Sequence, residues 1–278
     1  MTDNIHTMAQ LKKYISPGAW FSLSYPASWN EFEDAEDSFL FYNPDEWTGN
    51  FRISAYRGGA SYGSDCIRQE LKANPSARRV QLGTLTCAYS REDFEEDGTP
   101  YTTHFWVAGQ GDMAFECSFT VARGGVVDEA EQVIRSLQAR EAGKKYPAEL
   151  IPVRLSEIWQ IDEAYDWATR KVKEVLKKDF QGMESDIDSL QQLIDRSLIA
   201  PKKREAWLSL GIVLCVILAN ETDGWEWRTL VDGNREAPVL QCVETQRVAD
   251  PMKLVWSRVK AGETVRLPEI YEAILVQE

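Results

Sequence analysis

The 278 residues are enough for about two domains. A content of 44% hydrophobic, 27% charged and 11% aromatic residues excludes a disordered, collagenous or coiled-coil chain. With 44 acids against 31 bases the net charge is −13, which argues against a nucleic-acid partner held through its phosphates, and two histidines, His6 and His104, leave most histidine catalysis and zinc chemistry short of parts.

The first half alternates strand and turn signals. Residues 20–25 (WFSLSY) read as a strand ended by Pro26, followed by strands over 38–42 (SFLFY) and 51–56 (FRISAY), all rich in aromatic and β-branched residues. Residues 65–74 have an acidic start, Ile67 and Leu71 four apart and Pro75 just beyond, which predicts a helix. Strands follow over 80–90, 101–108 and 113–122, with Asp97-Gly98 and Gly109 to Gly111 as hairpin turns. A helix over 128–142 carries Ala130, Val133, Ile134 and Leu137 on one face.

Composition shifts over 143–152 (GKKYPAELIP), an aperiodic stretch with two prolines that reads as a linker, so the expected domains are 1–146 and 147–278. Beyond it the pattern turns helical over 155–180, 186–198 and 202–219. Residues 225–231 (WEWRTLV) alternate like a strand, Asp232-Gly233 turns the chain, and 237–244 form the hairpin partner. Asp250 caps a helix over 251–260 that ends at Gly262, and 267–276 form the last helix. The expected class is α+β: an antiparallel sheet with packed helices, then a mainly helical α+β domain with a two-stranded hairpin. The acids divide almost evenly, 21 against 14 bases before residue 147 and 23 against 17 after it, so neither half is a masked basic module.

The opening MTDNIHTMAQ lacks the basic-then-apolar pattern of a signal peptide, and the longest apolar run, 206–219, is too short to cross a bilayer. Cys66, Cys87, Cys117, Cys215 and Cys242 are widely spaced with no C-x-x-C pair and read as small buried hydrophobes, a metal or redox site being the alternative. A cytoplasmic protein is expected, with no membrane partner, no metal and no cofactor.

The segment WFSLSYPASWNEFED, followed by SFLFYNPDEWTGNFRISAY, resembles the opening of PsbP-like domains: a strand ending in Tyr25-Pro26, Trp29 shortly after, then two strands with polar turns. The resemblance implies an antiparallel sheet sandwiched by helices and a binding or assembly role, and it carries over no catalytic residues. The second half resembles a small bacterial domain of unknown function through Leu210-Gly211, Gly224-Trp225-Glu226-Trp227 and Gly262-Glu263-Thr264 with Leu267. The pair resembles an uncharacterised bacterial two-domain family, whose related domains occur near toxin–immunity and secretion-system loci.

Two acidic runs stand out. Glu31, Glu33, Asp34, Glu36 and Asp37 fall in an expected loop after Trp29, where they read as a solvated surface or a docking site for a basic protein. Glu92, Asp93, Glu95, Glu96 and Asp97 precede Gly98; the alternation of Asp93, Glu95 and Asp97 mimics the start of a calcium loop, but its twelfth position is His104 and a strand follows, so a charged hairpin tip is expected. If folding joins the runs, they make one acidic docking patch. His104 shares a strand face with Thr102 and Trp106 and reads as a satisfied or exposed strand histidine. Trp225 and Trp227 share a face, read as core against the 206–219 helix, or as interface anchors. No nucleophile elbow, phosphate loop or H-E-x-x-H is present.

These features point to a non-enzymatic protein-binding module, in its sharpest form an immunity or adaptor protein for a basic partner. The partner-binding candidates are nine acids of the two runs, Glu31, Glu33, Asp34, Glu36, Asp37, Asp93, Glu95, Glu96 and Asp97, with Trp225 and Trp227. The alternatives are a hydrolase with an unrecognised carboxylate pair and a small-ligand-binding protein.

Overall fold

The computed structural model describes residues 10–35, 38–233 and 235–276, and the chain divides between Tyr146 and Pro147 into two compact units. In the first unit, β1 (Leu11–Ile15) and β2 (Phe21–Pro26) form an antiparallel hairpin. Gly18, at φ 69°, makes its turn possible, and Ser16 Oγ accepts the Trp20 and Phe21 N–H groups at 3.1 and 3.2 Å. The chain continues through β3 (Asn30–Ala35), β4 (Ser38–Tyr42), β5 (Asn50–Arg57), α1 (Tyr62–Ala73), β6 (Arg78–Leu82), β7 (Leu85–Glu96), β8 (Thr99–Gln110), β9 (Met113–Ala122), α2 (Asp128–Ser136) and β10 (Gln138–Ala139). A seven-stranded antiparallel sheet has the order β3-β4-β5-β9-β8-β7-β6, and a small sheet has the order β1-β2-β10.

Alternation divides the large sheet into two unlike faces. One carries Phe41, Phe51, Phe119, Trp106 and Cys87, which form a single core with Tyr14, Phe21 and Leu23 of the small sheet, Val133 and Ile134 of α2, and Trp29. The other carries Phe105, Val107 and Glu116 and is crossed by α1 over β7, β8 and β9. Ala88, Ala114 and Ile67 are buried on that side. Gly63 lets α1 lie on the β8–β9 turn, because a Cβ there would sit 2.3 Å from the Met113 carbonyl oxygen and 2.7 Å from Gln110 N.

Several expectations are corrected here. Residues 31–35 are not loop but part of β3, an edge strand whose acids discourage further pairing; Glu36 and Asp37 lie outside the described residues, as does His6. β1 was not anticipated, since Lys12 and Lys13 mask its inward residues Tyr14 and Ile15. The strand expected over 80–90 is a hairpin, broken where Gly83 takes φ 59° and Leu82 pairs with Leu85. The helix expected over 128–142 stops at Ser136, because Leu137 turns extended (φ −64°, ψ 131°) and 138–139 pair with β2.

The second unit comprises β11 (Glu149–Pro152), α3 (Leu155–Lys171), α4 (Ile187–Asp195), α5 (Arg204–Glu221), β12 (Trp225–Asp232), β13 (Arg235–Cys242), β14 (Val248–Ala249), α6 (Ser257–Lys260) and α7 (Leu267–Val276). The two-stranded hairpin expected there is the centre of a four-stranded sheet, β11-β12-β13-β14. The outer strands, four and two residues long, are too short to show alternation, and β11 falls in the stretch expected as linker. The middle of α5, Leu210 to Cys215, is apolar on every side because the unit's core surrounds it. Gly211 permits its contact with Pro251, whose carbonyl oxygen would lie 2.3 Å from a Cβ.

A buried ion network ties β12 and β13 to the start of α3. Arg154, 1% exposed, donates from Nε and Nη2 to the two oxygens of Glu157 at 2.7 Å each, and from Nη2 to Glu236 at 2.7 Å. Thr229 Oγ1 donates to Glu157 at 2.9 Å and accepts the Arg154 N–H at 3.1 Å. The bidentate fork and added hydrogen bonds offset the cost of taking these charges out of water.

Gly63→Ala is expected to cost about 1–3 kcal/mol or more by overpacking, read as a lowered urea midpoint, whereas Gly59→Ala, which meets open space, should change it by less than about 0.5 kcal/mol. Arg154→Met is expected to destabilise the second unit by about 3–5 kcal/mol in the same measurement, because Glu157 is left buried without its cation.

Candidate functional site

The less covered face of the large sheet holds a groove of about 530 Å³ beside the C-terminal half of α1. β7 contributes Ser90 and Glu92, β8 contributes Phe105 and Val107, β9 contributes Glu116, and α1 contributes Glu70. Register explains the grouping: Ser90 pairs with Phe105, Glu92 with Thr103 and Val107 with Glu116, so these alternate residues emerge on one face. The Phe105 ring is 39% exposed on the floor of the groove, and Glu92 and Glu116 are exposed near it. Asn74 donates to Glu70 at 2.9 Å and so orients that carboxylate along the rim. The arrangement can take the aliphatic stem of a basic side chain along Phe105 and Val107 and its charge among the carboxylates.

Apart from Glu92, the described acids of the two runs lie elsewhere. Glu31 sits on the core side of β3, half-buried, where it accepts the Tyr14 hydroxyl at 3.0 Å. Glu33 pairs with Phe39 in register, and Asp34 lies at the irregularity before Ala35. Asp93, Glu95, Glu96 and Asp97 are exposed at the far end of the β7–β8 hairpin, with Asp97 at φ 50° and Gly98 at φ 78° in its turn. Thr102 Oγ1 donates to Asp93 at 2.6 Å, and that bond is the first cause of a carboxyl pKa held below its ordinary value. β3 and β7 are five strand spacings apart in the sheet, roughly 24 Å. Glu31 in β3 and the acids at the β7–β8 hairpin tip therefore do not form one patch. Among the described residues no group of three His, Cys, Asp or Glu side chains is placed to hold a metal ion.

His104 lies on the core face, its Nδ1 2.8 Å from the Tyr89 hydroxyl and its ring stacked against Trp106 at 5.9 Å. Trp225 and Trp227 are half-buried against the core of the second unit, with the Arg247 guanidinium 6.0 Å from the Trp225 ring. Of the groove residues, Glu70, Phe105 and Glu116 were not singled out, and Glu92, the first acid of the second run, was not among the partner-binding candidates. The signal for Glu116 is a charge set in the otherwise apolar and small β9, and that for Glu92 is its alternation with Phe94.

A domain of unknown function, DUF3805, matches residues 9–162, more than half of the chain. The chain belongs to that family. A second domain of unknown function, DUF3806, matches residues 186–271. The DUF3805 match runs past Tyr146 into α3. The chain is 60% identical to a protein of known crystal structure from Bacteroides thetaiotaomicron VPI-5482, over 96% of this chain and 99% of that one, with a TM-score of 0.93. It is 15% identical to cyanobacterial PsbP from Synechocystis sp. PCC 6803 over 50% of this chain and 98% of that one, with a TM-score of 0.27. It is 12% identical to LpqN, described as involved in cell envelope biogenesis of Mycobacterium tuberculosis, over 49% and 93%, with a TM-score of 0.32. At such scores these two likenesses say nothing of function. No curated protein is significantly similar to the chain.

Burial and then the charge of Arg91 hold the His104 imidazole below its ordinary pKa, against the pull of Asp93 and Glu131. The unfolded chain takes up a proton near pH 6.5 that the folded unit resists, so this contribution to stability is complete above that pH and is lost as the pH falls through it. Urea midpoints between about pH 7.5 and pH 5 are accordingly expected to fall more steeply for the parent chain than for His104→Gln. Parallel curves would contradict the assignment.

Proposed function

We propose that the protein is a non-enzymatic binding module that takes a basic segment of a protein partner in the groove beside α1. The observation that carries this reading is the half-exposed Phe105 ring on a groove floor with Glu70, Glu92 and Glu116 around it. An aromatic face gives a guanidinium or ammonium cation–π attraction, and three carboxylates select positive charge while adding strength that falls with salt. Arg91 also borders the groove, but it pairs with His104 and so turns its side chain toward the opposite face of the sheet. An immunity or adaptor role toward a basic protein is the cellular form of this function. Five free cysteine thiols suit a reducing, cytoplasmic setting.

Fluorescence anisotropy with a labelled hexa-arginine probe, and hexa-glutamate as control, tests it on the full chain. Binding of the arginine probe is expected to be salt-sensitive and to weaken at least five-fold in Glu92→Gln/Glu116→Gln and in Phe105→Ala. Neutralising Glu95, Glu96 and Asp97 at the hairpin tip should leave it within two-fold. Equal losses at the two places, or none at the groove, would refute the reading.

A further inference from the structure

A separate cavity of about 220 Å³ lies within the second unit, between α3, α5 and β13. Arg204, Leu208 and Ile212, four residues apart and so on one face of α5, line one side of it. Pro238 of β13 and Met252 add to its apolar walls, and the glycine at 211 lets the chain at Pro251 close against α5. Two of its charged residues are already engaged. Arg235 donates to both oxygens of Asp250 at 2.8 and 2.5 Å, and Glu236 accepts from Arg154 at 2.7 Å. Burial would raise the Asp250 carboxyl, but the Arg235 bonds outweigh it and hold the pKa below the ordinary value, which keeps that pair ionised and closed on itself.

Glu236 and Arg235 thus have charged partners of their own, and the charge in the lining without one is that of Arg204. The Arg204 guanidinium and the Gln160 amide line the cavity with no side-chain hydrogen bond or ion pair among the described residues. A cation above apolar walls selects a ligand with one negative end and a hydrocarbon body. An ammonium compound would meet Arg204 as a like charge, and a phosphate dianion would lose too much hydration against Leu208 and Ile212. The volume equals about seven waters of liquid and falls below the roughly 300 Å³ at which pockets for drug-sized ligands begin, which suits a short-chain compound. We propose that this cavity binds a small amphipathic carboxylate, its head on Arg204 and Gln160 and its body between Leu208, Ile212, Pro238 and Met252.

Methyl-detected NMR titration of the full chain with hexanoate, hexylamine and 1-hexanol tests the proposal. Hexanoate is expected to saturate one site and to shift the Leu208, Ile212 and Met252 methyls, while hexylamine leaves them in place. Arg204→Ala, an exposed position whose change should leave the unfolding midpoint unaltered, should weaken hexanoate at least five-fold and 1-hexanol by less than two-fold. Leu208→Trp should fill the cavity and abolish both. The proposal is overturned if hexanoate produces no saturable shift at those methyls, if hexylamine binds as well, or if Arg204→Ala binds hexanoate undiminished.

Discussion

Trp29 packs between Phe51 and Phe119, its ring nearly parallel to that of Phe119 at a centroid distance of 6.1 Å, and with Phe41 and Phe115 this aromatic mass closes one face of the seven-stranded sheet. The small sheet β1-β2-β10 and α2 complete the cover there. An antiparallel sheet must bury one face and can leave the other to water, and among the described elements of the first unit only α1 crosses that second face, over β7 to β9. What α1 leaves open beside it is the groove. The candidate site thus follows from unequal allocation of apolar cover, and its chemistry from which residues happen to alternate onto the thinner side.

The second unit meets the same demand differently. α5 is buried on all sides from Leu210 to Cys215, so the four-stranded sheet, α3, α4 and α7 are arranged about one apolar rod. That leaves the polar residues at the seams to satisfy one another, as Arg154, Glu157, Glu236 and Thr229 do. The ion network and the Arg235–Asp250 pair engage the other charges beside the small cavity, whereas the Arg204 side chain has no such partner among the described residues. Charge left after local pairing is what gives that cavity a chemical preference.

Legibility in the sequence tracked length and regularity. Strands β4 and β9 and helix α7 have the bounds their patterns predict, since each is a continuous apolar or alternating run with a turn signal at its end. β3 was hidden because only Phe32 is large and apolar among its six residues; its place in the sheet comes from pairing with β4, not from propensity. β10, β11 and β14 are too short to carry a period and exist only because a neighbouring strand offers free backbone groups. The acidic runs were visible as charge, but charge density along the chain does not say which face each carboxylate takes.

The sequence by itself determined the class, α+β with a strand-rich first half and a helix-rich second, because hydrophobic period and turn residues are local quantities. It also determined the net charge of −13 and its even division between the halves. Only the tertiary structure decided what that charge does. Pairing register sent Glu31 toward Tyr14 on the core side, while it set Glu92 and Glu116 beside Phe105 on the open side. A strand's two faces exchange on a shift of one residue, and that choice is made by partners far away in the chain.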